Sequence, residues 1–162
     1  MSDDYEDLTA CSLSPELEAR LLHLQRECVF MWTNSDGEAF GVVMAVLPKD
    51  GRFWLTAAER RKRITALRRF PRASLCLNST GTKMGPGKTI TYKGTCTVHA
   101  DRATKDWFYP EFSRWLHRDD ATAAEFQRFL DSPHRVIIEF VPDYSLSFDG
   151  ELMMQRSPEA NW

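Results

Sequence analysis

Apolar residues along the chain change period several times, and each change marks an element. Ser14-Pro15-Glu16 reads as an N-cap, a first-turn proline and an acid set against the helix dipole. Leu17, Leu21, Leu22 and Leu24 then give a one-sided apolar face to a helix reaching about residue 26. From residue 28 the texture turns β-branched and aromatic. Segments 28–33, 40–47 and 52–56, separated by Asn34-Ser35-Asp36-Gly37 and Pro48-Lys49-Asp50-Gly51, predict a three-stranded antiparallel meander. Segment 57–70 loses the alternation, places Ile64 and Leu67 one turn apart and stops at Pro71, so a helix is expected. Segment 73–78 is the next strand, 79–87 a glycine-rich loop and 88–99 a long alternating strand. Aromatic residues at helical spacing predict amphipathic helices over 101–117 and 121–130, interrupted at Pro110 and at Arg118-Asp119-Asp120. Segments 134–141 and 144–148, split by Pro142-Asp143, are the last strands. The order describes an α+β domain built on an antiparallel barrel.

A chain of 162 residues with 43% hydrophobic content suits one domain, expected over 14–150, between a disordered acidic tail (1–13) and a polar C-terminal tail (151–162). A net charge of -2 offers no general attraction to nucleic acid or anionic membrane, so neither is an expected partner, and no run is long and apolar enough to span a bilayer. Cys11, Cys28, Cys76 and Cys96 are scattered, which fits reduced thiols in a cytoplasmic protein better than a disulfide framework. The four histidines lack ligand spacing, so no metal site is expected. The Gly-Lys-Thr at 87–89 lacks the first glycine of a phosphate loop, Thr82 standing in its place, and a strand follows it.

Local charge is more informative. Arg60, Arg61, Lys62 and Arg63 are consecutive, and they fall where the third strand gives way to a helix. Free backbone N–H groups, the positive end of the dipole and cationic side chains can meet there around one phosphate, although a solvated helix face or a nucleic-acid patch gives the same pattern.

The context of that run is Phe53-Trp54-Leu55-Thr56, a short loop, Lys62-Arg63, and Phe70-Pro71-Arg72-Ala73-Ser74-Leu75. It resembles the core pattern of the flavin-binding split-barrel superfamily, which includes pyridoxamine-phosphate oxidases and deazaflavin-dependent reductases. Gly94 within the strand 88–99 and the Leu-His-Arg-Asp-Asp ending of the following helix extend the resemblance over about 28–148. The resemblance implies a six- to seven-stranded antiparallel split β-barrel with flanking helices. It also implies a homodimer with FMN near the interface, and hydride transfer to or from a small conjugated substrate. Thr56, Lys62 and Arg63 would hold the cofactor phosphate with Arg61 helping, and Lys88 and Thr89 would start the strand facing the flavin. Two departures argue against pyridoxamine phosphate as substrate: Phe40 and Ala45 stand where the oxidases carry a basic pair, and Thr89 replaces a glutamine. Coenzyme F-420 is the alternative cofactor, and a non-catalytic flavin or haem binder the alternative function. No catalytic side chain is identified; Tyr92 and Lys88 are candidate proton donors, and the loop 79–87 a candidate lid.

Overall fold

The stretch between residues 39 and 49 decides the architecture. β1 (Glu27–Thr33) pairs antiparallel with β2 (Ala39–Ala45), while β3 (Leu47–Lys49) continues β2 past Val46 and pairs with β4 (Arg52–Ala58). The β3–β4 turn uses Asp50 and Gly51, both at positive φ (53° and 72°). The expected meander is thus a bent strand whose two halves have different partners. With β5 (Arg72–Asn78), β6 (Lys88–His99) and β7 (Arg135–Asp149) the sheet order is β2-β1-β5-β6-β7-β4-β3, so β2 and β3 lie at opposite edges yet are joined through one residue. The sheet therefore curls on itself. No ladder joins β2 to β4 among the described residues, 8–156, of this computed structural model, and the barrel stays split between them.

β7 is one strand where two were expected. Its register against β6 shifts between Lys93 and Gly94: Tyr144 lies opposite Lys93 and Pro142 opposite Gly94, leaving Asp143 as the extra residue of a bulge. A bulge tolerates the missing N–H of Pro142, so the proline does not end the strand.

Alternate residues of the strands, among them Phe30, Leu55, Leu75, Ile90, Ile138 and Phe140, fill the barrel interior. α1 (Pro15–Leu24), capped by Ser14 accepting from the Leu17 N–H, adds Leu21 to this core; α2 (Lys62–Arg69) adds Ile64, Ala66 and Leu67. Outside, α3 (Arg102–Leu116) and α4 (Asp120–Leu130) form a second cluster in which Phe108 and Phe112 pack with Trp54 and Ile137. α3 runs unbroken through Pro110, contrary to the expected interruption.

The packed chain starts before residue 14: Leu8–Cys11 makes one 3-10 turn, and Cys11 and Leu13 are buried. α5 (Gly150–Arg156) follows β7 directly, a helix the sequence reading did not anticipate. The rest of the expected tails, 1–7 and 157–162, lies outside the described residues. No helix among the described residues is long and apolar enough to cross a membrane.

Candidate functional site

β4 ends at Ala58, the Arg61 N–H turns back to the Ala58 carbonyl, and α2 starts at Lys62. Arg61 is its N-cap and makes no side-chain capping bond, so the first N–H groups of the helix lack that acceptor. The acid of the run does not compensate: Glu59 accepts from Arg68 at 2.8 Å, and that contact holds its carboxyl below the usual range. Arg60, Arg61 and Lys62 are exposed, and none of the four cations has a hydrogen bond or ion pair among the described residues. Arg63 is half-buried with its Nε buried and unpartnered, and burial, aided by the charge of Arg61, pushes its pKa down. Unpaired, partly desolvated guanidinium next to an uncapped helix start has the chemistry to receive an anion.

Thr56 belongs to the same strand-turn-helix unit. It lies on the outward side of β4 with Trp54, but its Oγ1 donates to the Val136 carbonyl at 2.8 Å, which leaves it lone pairs and no proton to offer. Lys88 and Thr89 lie elsewhere. Thr56 is opposite Ile137, and Ile137 opposite His99, whereas Lys88 is at the other end of β6, eleven residues from His99. Lys88 is buried, with Nζ 2.8 Å from Glu151 and 3.6 Å from Asp149, contacts that raise its pKa. Thr56, Arg61, Lys62 and Arg63 thus share one strand-turn-helix segment, and Lys88 and Thr89 lie away from it.

The two candidate proton donors are not at an open site. Tyr92 points into the barrel and donates to Glu18 at 2.7 Å; burial first, then Glu18, raises its pKa far above the ordinary phenol. Lys88 is held in its ion pairs. The loop 79–87 is tied to the α1 end of the barrel, where Gln25 Nε2 donates to the carbonyl of Thr80 at 3.4 Å and Met84 packs against the core.

What the sequence reading missed is a groove of about 610 Å³ on the uncovered outer face of β1, β5, β6 and β7. Met31, Phe70, Ser74, Thr91, Tyr144 and Leu146 contribute to its walls, together with Arg72 and Lys93. Phe70 follows α2 immediately, so the helix spans the distance from the cation cluster to the groove, about 12 Å at 1.5 Å per residue. Alternation along β6, which puts Thr91 and Lys93 on one side, was the available signal.

No protein-family model matches the chain, and no curated protein matches it by sequence. Solved structures do match. A conserved hypothetical protein of Mycobacterium tuberculosis superposes with a TM-score of 0.74 at 17% identity, over 90% of this chain and 89% of that one. A candidate pyridoxamine 5'-phosphate oxidase of Listeria innocua gives 0.61 at 16% identity, over 82% and 95%. An F-420 reductase gives 0.60 at 14% identity, over 78% and 94%. At such identities the shared property is the fold, an α+β split barrel of the kind the resemblance implied.

Proposed function

We propose that this split barrel binds FMN, with the phosphate at the start of α2 and the ring in the outer groove of a homodimer, and transfers hydride to or from a small conjugated substrate. The observation that carries the reading is the set of four cations, Arg60, Arg61, Lys62 and Arg63, left without counter-charge at an uncapped helix start, with the Arg63 Nε buried and unpartnered. The residues fit a phosphate dianion. Lys62 and Arg63 supply charged donors, the α2 N–H groups supply neutral ones, and Arg61 adds field. The flavin supplies the redox chemistry when bound, and the chain anchors, orients and shields it. A second copy laid on the uncovered face covers Val43, Tyr144 and Leu146, each more than half exposed, and closes the groove from water.

FMN titration of the full chain tests this. Changing Lys62 and Arg63 together to Ala removes two charge-assisted contacts, each contributing about 1.5–3 kcal/mol. The expected loss of affinity is at least about a hundredfold, with a melting temperature no lower than that of wild type, because neither side chain has an intramolecular partner and both oppose the α2 dipole. Equal affinity in the variant rejects the phosphate site.

A deazaflavin reading has its own support. Arg60 and Arg61 are uncommitted beyond what one phosphate needs, which suits the acidic tail of coenzyme F-420, and one structural neighbour is an F-420 reductase. Parallel titrations with FMN and F-420 rank the two. The engagement of Tyr92 and Lys88 elsewhere favours a third reading, a flavin or haem binder without turnover. Steady-state reduction of an acceptor separates it from both enzymes.

A further inference from the structure

Four charged groups stand at the groove or bond residues that line it: Arg72, Asp143, Lys93, and Arg69, whose Nη2 donates to the Thr33 carbonyl at 3.2 Å. Arg72 and Asp143 neutralise each other, with both terminal nitrogens of the guanidinium donating to the carboxylate, one of them also to Thr95 Oγ1 at 2.9 Å. Arg72 is the main cause of the lowered pKa of Asp143, with Lys93 adding to it through space. Lys93 is different. It has no hydrogen bond or ion pair among the described residues, and its Nζ lies 4.4 Å from the centroid of the Tyr144 ring in the groove wall. Arg72 and Asp143 cancel and Arg69 is tied to a backbone carbonyl, so the cation left to turn to a ligand in the groove is the Lys93 ammonium.

In the open groove water solvates that ammonium. A flat ring laid over Tyr144 and Leu146, or a second copy closing the groove, removes the water. Contact with one aromatic face recovers only part of the lost hydration. A desolvated, unpaired cation opposes binding more strongly than the apolar contact around it favours binding, unless the ligand brings a counter-charge. We infer that the groove selects planar substrates carrying an anionic group, a carboxylate or its equivalent, and that Lys93 is the residue that sets this preference. The inference rests on the groove being the ring site proposed above. Thr91 and Ser74 hydroxyls on the same wall supply hydrogen bonds to such a group once Lys93 has seated it.

The test compares two fluorescent probes on the cofactor-free full chain: anilinonaphthalene sulfonate and its neutral analogue N-phenylnaphthylamine. Wild-type protein is expected to bind the sulfonate at least tenfold more tightly. Lys93→Met is expected to abolish that preference and leave the neutral probe unchanged, and Lys93→Arg to retain it. A preference that survives Lys93→Met, equal binding of the two probes by wild type, or binding of neither overturns the inference. So does a large loss of FMN affinity in Lys93→Met, which assigns the cation to the cofactor. Failure of wild-type protein to bind FMN at all rejects the parent reading and this one with it. FMN binding that is weakened by the Lys62/Arg63 change alone, with no probe preference, rejects only this one.

Discussion

Gly94 shows how tightly one position can be held by its partner strand. A Cβ there would stand 2.2 Å from the Val141 carbonyl oxygen and 2.9 Å from the Pro142 Cα, both backbone atoms, and 2.8 Å from the Phe140 ring. Neither backbone atom can swing away as a side chain would. Gly94→Ala is expected to cost about 3 kcal/mol, as overpacking in a close-packed site does, read as a lower denaturant midpoint with an unchanged slope. A midpoint within about 0.5 kcal/mol of wild type would mean that the bulge shifts freely. The glycine is thus required by β7, and nothing in its own neighbourhood of sequence announces that need.

At the scale of elements, the start of α2 sets function against stability. Arg61 caps the helix without a capping bond, and Lys62 and Arg63 place positive charge at the positive end of the dipole. Arg61→Asp supplies the missing acceptor and reverses the charge. It is expected to stabilise the domain by about 1 kcal/mol while weakening FMN binding severalfold. Thermal melting and titration of the same variant decide this, and stabilisation without loss of affinity would remove Arg61 from the site. The cation run and its strand-to-helix setting were legible because both are local, and so was β6, whose predicted bounds 88–99 are those observed. Partnership was not legible. Pro142 reads as a break because Gly94, the residue that makes room opposite it, belongs to another strand. Lys88 reads as free to meet an anion because its acids, Asp149 and Glu151, arrive some sixty residues later. Residues 40–47 read as one strand of a meander because a bend at Val46, held by its N–H bond to the Arg26 carbonyl at 2.9 Å, leaves no mark in the alternation.

For the whole molecule, the uncovered sheet face is where the proposed homodimer would close. Val43 is 65% exposed at the β2 edge of that face. In a lone chain Val43→Glu is a surface change, neutral within about 0.5 kcal/mol, whereas inside a contact between two copies it buries an unpaired charge. Sedimentation is expected to give a dimer for wild type at micromolar concentration and a monomer for Val43→Glu; a wild-type monomer removes the homodimer. The sheet order has a further consequence, for biosynthesis. β4 is made before β5, β6, α3 and α4, and β7, its partner along residues 53–58, follows them all. Until β7 leaves the ribosome, β4 has only the three residues of β3 to pair with, and its Phe53-Trp54-Leu55 stretch lies open along one edge. The nascent chain therefore carries an adhesive, unsatisfied strand from the emergence of β4 until β7 docks.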